Sequence, residues 1–188
     1  MSDKLIIENC SPTLAGIKTG SLFSVKVSNE TDINRELSEL NGTLRKKGLR
    51  VIPLKKADGY ALIYLYRPGH LKRDLTDPLA KKILKNRGYD IGNPESCIVQ
   101  LIGHLRDESL FPHEIGLFLG YPPSDVECFM KHPFRGVKCC GCWKAYSEPE
   151  KARTVFGRYK KCTEEYREMY KKGKSLAQLA VITCLSAG

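Results

Sequence analysis

No apolar run in this sequence approaches the roughly eighteen residues that a membrane-spanning helix requires. The N-terminal stretch MSDKLIIENC lacks the basic segment and apolar core of a secretory signal. Both absences lead to an expectation of a cytoplasmic protein. There, the eight cysteines read as reduced thiols and not as a disulfide framework. Neither a Walker A loop nor a dinucleotide-type glycine pattern occurs, so no phosphate-cradling cofactor motif is on view and the cofactor is unknown. Internal repeats, low-complexity tracts and an obvious linker are missing too. Tryptophan occurs once, at Trp143.

What is present suits a packed globular chain. Hydrophobic residues make up 41% and charged residues 28% of the sequence, which excludes a disordered polyelectrolyte. The net charge of +10 invites an anionic partner: a small molecule, an acidic protein or nucleic acid. Lysine and arginine are densest over 151–174, but Glu164, Glu165 and Glu168 interleave with them. That mixture argues against a stripe tracking a nucleic-acid backbone.

Residues 3–9 read as a short helix ending near the pre-proline Ser11. Phe23, Val25 and Val27 alternate with Ser24, Lys26 and Ser28, the signature of a half-buried strand. Thr31 is a candidate N-cap for a helix whose stripe is Ile33, Leu37, Leu40 and Leu44, closed by Gly48. Strands follow at 49–55 and 59–67, joined by a tight turn at Ala57-Asp58-Gly59. The second, GYALIYLYR, is apolar on both faces and should be central. Residues 69–132 read as a helical stretch with four breaks, near Asp77-Pro78, Gly88 to Pro94, Pro112 and Gly120 to Pro123. A strand is expected at 137–146. A capping box, Ser147 with Glu150, then opens a helix bearing Ala152, Val155, Phe156, Tyr159, Cys162, Tyr166 and Met169 on one face. A final short helix covers about 175–184. The expected fold class is α+β: a single domain, 1–188, with a four-stranded, mainly antiparallel sheet under packed helices. A ferredoxin-like core with a helical insert at about 69–132 is one specific form.

Three segments carry candidate chemistry. In CSPTLAGIKTG, Cys10 follows a short helix in a glycine-punctuated loop, and Lys18 would lower its pKa if the loop folded back. The competing reading is a small apolar plug. In FPHEIGLFLGYPPSDV, His113 is a candidate acid or base and Glu114 a carboxylate at a helix start, where the helix dipole favours it. Leucine at 117 excludes the H-E-x-x-H zinc helix. Cys128, His132, Cys139 and Cys142 have zinc-ligand identities, but a strand over 139–142 would point the last two to opposite faces. No metal is therefore expected. Arg67 ends the central strand, and Trp143, Lys144 and Tyr146 lie on a later one, where ligand contacts gather.

The runs CSPTLAGIKTGSLF, FPHEIGLFLGYPPSDV, WKAY and YKKC resemble the bacterial domain-of-unknown-function family 3793, found mainly in anaerobes, over nearly the whole chain. The resemblance implies no activity. It does imply positions: Cys10, Pro12, Thr13, Gly16 and Lys18; Arg67; His113, Glu114, Gly120, Tyr121 and Asp125; Trp143, Lys144 and Tyr146; Cys162. An aromatic residue usually precedes the tryptophan in that pattern, and this chain has Cys142 there.

Two functions lead, with nucleic-acid binding through 151–174 as a third and weaker reading. One is a small-ligand-binding protein or thiol-dependent enzyme acting on an anionic small molecule. Cys10, His113 and Glu114 would be catalytic, and Thr13, Lys18, Arg67, Tyr121, Trp143, Lys144 and Tyr146 would bind the ligand. The other is a non-catalytic regulatory or accessory protein of anaerobic iron or redox metabolism that meets an acidic protein partner.

Overall fold

Strand order follows from which strand is apolar on both sides. In the computed structural model, which describes residues 1–27, 30–107 and 111–183 (the side chains of 30–32 and 107 excepted), β3 (Tyr60–Tyr66) is flanked on both edges. It pairs antiparallel with β1 (Gly20–Lys26) and with β2 (Arg50–Ala57), giving the order β1-β3-β2. Residues 61 and 63–66 of β3 are buried, as its unbroken apolar run requires. Phe23 and Val25 of β1 are buried between the exposed Ser24 and Lys26. Ser28, the side chain of Thr31 and Cys184 fall outside the described residues.

Ala57 pairs with Tyr60 across a two-residue turn in which Asp58 (φ 52°) and Gly59 (φ 75°) both have positive φ. This is the turn that matches the twist of antiparallel strands. The helix α2 (Glu30–Leu44) buries Ile33, Leu37 and Leu44 and half-buries Leu40, and a short 3₁₀ turn at Arg45–Lys47 carries it to Gly48 in the left-handed region.

The first helix, α1 (Asp3–Leu14), runs five residues beyond the expected end, with Pro12 inside it. A neighbouring side chain and a well-made end hold this extension. The Ser11 hydroxyl donates to the Ile7 carbonyl at 2.5 Å. Gly16, at φ 77°, then closes the helix with the paired bonds Ile17 N–H to Pro12 O and Gly16 N–H to Thr13 O.

The chain groups into two compact units, Met1–His70 with Lys161–Gly188, and Leu71–Lys160. The first holds the three-stranded sheet with α1, α2 and the chain's C-terminal part. Its core joins Ile6, Ile7 and Leu14 to Phe23, Leu37, Leu49, Ile63 and Leu65. The second holds most of the expected insert. Among the described residues of 68–131, α3 (Pro68–Asp74), α4 (Pro78–Asn86), α5 (Pro94–Asp107), α6 (Ile115–Phe118) and α7 (Pro123–Lys131) are the five helices that the four expected breaks would separate. Asp77 caps α4 by accepting from the N–H groups of Leu79 and Ala80.

The expected fourth strand is not part of the sheet. Residues 137–146 fold into a separate hairpin, β4 (Cys139–Cys140) against β5 (Lys144–Ala145). A fold built on one four-stranded sheet, the ferredoxin-like form included, is thereby corrected to a three-stranded and a two-stranded antiparallel sheet. The physical reason lies in Gly141 at the hairpin tip. A Cβ there would stand 2.2 Å from the Phe156 ring, so the chain turns where only glycine fits. The helix α8 (Pro149–Lys171) follows, and the capping box expected at its start gives way to a different arrangement: Ser147 directs its N–H and hydroxyl to Asp125. A capping box does form at the last helix, α9 (Leu176–Leu179), between Ser175 and Gln178. Residues 180–183 are not helical, which shortens the final helix from its expected span.

Candidate functional site

In the first unit, β3 leads straight into Arg67, whose side chain is 1% exposed. Its planar fork donates in every direction. Nε reaches Thr13 O at 2.7 Å, and Nη2 reaches Leu14 O at 2.7 Å and Val181 O at 2.8 Å. Nη1 reaches Lys47 O at 3.2 Å and the Thr183 hydroxyl at 2.8 Å. Thr13 and Leu14 end α1, so the cation sits at the negative end of that helix. Burial holds the Arg67 pKa below the ordinary arginine value. The guanidinium has five N–H groups and makes five bonds within the unit, so it has no donor left to offer an anion. Gly16 is required beside it: a Cβ there would stand 2.6 Å from a Thr183 carbon.

Cys10 lies in the same unit, in the core with Ile6, Ile7 and Leu14. Burial pushes its thiol up from 9.0 to about 12, against smaller opposing effects of Lys18 and a hydrogen bond with Ser21. Lys18 thus acts in the direction read from the sequence, and desolvation outweighs it. The Thr13 and Ser21 hydroxyls are hydrogen-bonded at 2.9 Å and both buried. At neutral pH Cys10 therefore holds its proton. Iodoacetamide at pH 8 is expected to label the exposed Cys140 and to leave Cys10 unmodified until denaturant is added, as peptide mass spectrometry would show; native labelling of Cys10 would overturn this. The folded pKa lies above the unfolded one. The stabilising contribution is therefore complete below about pH 9 and is lost as pH rises toward 12. Cys10→Ala should flatten that alkaline decline in melting temperature.

The second unit gathers the other candidates. His113, Gly116, Tyr121, Phe129, Trp143 and Lys144 are among the residues around a cavity of about 170 Å³. Tyr121 and Trp143 stack with ring centres 5.1 Å apart and planes 29° apart, and Phe156 meets Trp143 edge-on at 4.5 Å. The exposed His113 ring stands perpendicular to Phe129 at 4.9 Å. Lys144 donates to Pro133 O at 2.9 Å, and its ammonium lies 5.4 Å from the centre of Phe129 and 4.6 Å from that of Phe134. Tyr146 is buried and donates its hydroxyl to Pro133 O at 3.2 Å. Burial raises the pKa of both Tyr121 and Tyr146, so each keeps its proton.

Asp125 holds this arrangement together. It sits in the first turn of α7 and is 3% exposed. Its Oδ2 accepts from Trp143 Nε1 at 2.8 Å. Its Oδ1 accepts from the Tyr146 N–H at 3.0 Å, the Ser147 N–H at 3.1 Å and the Ser147 hydroxyl at 2.9 Å. One carboxylate thus fixes the indole and the start of the segment leading into α8.

Glu114 faces away from solvent into a second cluster. Its Oε1 accepts from the Tyr89 hydroxyl at 3.0 Å and from His104 Nδ1 at 3.2 Å, while Arg87 Nε lies 3.4 Å from Oε2. The helix-start role is not what its side chain does, since α6 receives no cap bond from it. His104, Arg87 and Tyr89 were not singled out from the sequence, because residues 10, 27 and 25 positions upstream share no periodicity with Glu114. Among the described residues no three His, Cys, Asp or Glu side chains are grouped as metal ligands, so Cys128, His132, Cys139 and Cys142 do not form such a group. Cys139 donates weakly to Pro149 O instead, and Cys162 is buried in the first unit's core.

A second hollow, in the first unit, is bordered by Lys4, Ile7, Glu8, Arg167, Tyr170 and Lys171. Arg167 is paired with Glu8 and Lys171 with Glu168, so most of its positive charge is already answered. No helix among the described residues is long and apolar enough to cross a membrane. A family model described as a protein of unknown function, DUF3793, matches residues 6–180. No curated protein and no solved structure matches the chain.

Proposed function

Because the chain belongs to the DUF3793 family, a membership that brings no activity with it, we propose from the geometry alone that it is a small-ligand-binding protein whose site is the second unit's cavity. One observation carries the reading. The cavity is walled by Tyr121, Phe129 and Trp143, while Lys144 and His113 supply polar groups beside Phe129. Apolar walls with a few placed polar groups are the usual make-up of a small-molecule site. In this reading Cys10 and Arg67 are internal supports of the first unit, and binding needs no thiolate. The exposed Cys140 suits a reducing compartment, so the ligand would be met in the cytoplasm.

Trp143, the sole tryptophan, reports on its own cavity. A set of neutral, anionic and cationic single-ring compounds should include at least one that changes its emission saturably and raises the melting temperature. Val126→Phe, which fills the cavity, should abolish that response while circular dichroism shows the fold intact. If no member of the set perturbs Trp143, the cavity is not a ligand site.

A further inference from the structure

The geometry points to a single-ring aromatic carboxylate as the ligand of this cavity, its ring among Tyr121, Phe129 and Trp143 and its carboxylate on the Lys144 ammonium. This rests on the binding reading above and narrows its ligand class. Size is the first constraint. A dry cavity of about 150 Å³ lined by apolar side chains takes up benzene, and the space here, about 170 Å³, adds little more than one substituent. Shape is the second. The stacked pair Tyr121 and Trp143 presents flat surfaces, and aromatic guests pack on such rings face-offset or edge-on.

Charge decides between the remaining guests. Three aromatic walls would also suit an organic cation, since ring faces attract positive charge. The Lys144 ammonium already occupies that role, over Phe129 and Phe134. Phe134 is 84% exposed, so the ammonium lies at the outer edge of the aromatic cluster. A second cation there would meet repulsion. The one carboxylate among the lining residues, Asp125, has both oxygens engaged by the chain's own donors and cannot serve a cationic guest. Lys144 itself is underused. It has three N–H groups, gives one to Pro133 O, and pairs with no carboxylate among the described residues. His113, on the edge of the same Phe129 ring, is a second polar group exposed to solvent. A carboxylate on the guest would supply the acceptor that Lys144 lacks.

The test is a Trp143 fluorescence titration of the full chain with benzoate, benzyl alcohol and benzylamine at fixed pH. Benzoate should bind at least about tenfold more tightly than benzyl alcohol, the scale of one charge-assisted hydrogen bond. Its affinity should fall with added salt while that of benzyl alcohol holds. Lys144→Gln should reduce benzoate to the level of the alcohol, and Lys144→Arg should recover most of the difference. The salt series needs no variant, so it stands even if Lys144→Gln fails to fold. Benzyl alcohol or benzylamine binding as tightly as benzoate would overturn the carboxylate assignment and leave the binding reading standing. Silence from all three, and from the wider set above, would overturn both.

Discussion

Arg67→Met is expected to lower the melting temperature of the chain by about 10–20 °C. The estimate starts from the five bonds the guanidinium makes. A hydrogen bond to a charged group is worth about 1.5–3 kcal/mol, and a buried carbonyl stripped of its donor costs about 1–3 kcal/mol. These terms are not additive, so a total near 5 kcal/mol is the conservative figure, comparable to the whole stability of many domains. At roughly 2–4 °C per kcal/mol for a chain of this size, the shift follows. The loss is structural because the partners come from three distant places: the end of α1, the 3₁₀ turn after α2, and the segment after α9. No carboxylate among the described residues pairs with the cation, so four carbonyl dipoles and the Thr183 hydroxyl answer its charge. Lysine should therefore rescue only partly, since a single ammonium cannot reproduce a planar fork aimed at five acceptors. Thermal melts followed by circular dichroism decide it. If the methionine variant melts within a few degrees of the parent, the staple is not what holds the first unit. Full rescue by lysine would instead show that charge, not the fork, matters.

Local rules made the first unit legible. The alternation of Phe23 and Val25, the stripe from Ile33 to Leu44, the left-handed Gly48 and the turn at Asp58-Gly59 each depend on neighbours within a few residues, and each stands in the structure as read. Legibility ends where another contact overrules a local signal. Pro12 should stop a helix, but the Ser11 bond to Ile7 and the closure at Gly16 carry α1 past it. Residues 137–146 were expected to form one strand, yet Phe156 lies against Gly141 and the chain doubles back. Arg67 announces itself only as a charge ending an all-apolar run. Its acceptors lie 20 to 116 residues away in sequence, so nothing local shows that it faces carbonyls and not a ligand.

The candidate site divides in the same way. His113 and the Trp143–Lys144 pair were read from different segments and Tyr121 from the resemblance. Nothing in the sequence separated these four, which line one cavity, from Cys10 and Arg67, which are buried in the first unit. The resemblance alone brought Asp125 to notice. By itself, an aspartate in the first turn of a helix signals only the helix dipole. Its four donors lie 18 to 22 residues later, beyond the reach of any motif.

That carboxylate makes the second large prediction. Asp125→Ala removes the acceptor for the Trp143 indole and for two backbone N–H groups, and should cost about 3 kcal/mol or more. It should also red-shift Trp143 emission as the indole loses its anchor, and abolish the fluorescence response to ring compounds. Asp125→Asn separates the two roles. Its carbonyl oxygen can still accept from Tyr146 and Ser147, but its amide then turns N–H groups toward the indole N–H, and two donors facing each other repel. The asparagine variant should therefore lose about 1–2 kcal/mol of stability, yet bind benzoate at least about tenfold more weakly, because the stacked Tyr121–Trp143 wall is no longer held. Melting curves and the benzoate titration, run on both variants, test this directly. An alanine variant that melts and binds like the parent would show that Trp143 is positioned by packing against Tyr121 and Phe156 alone.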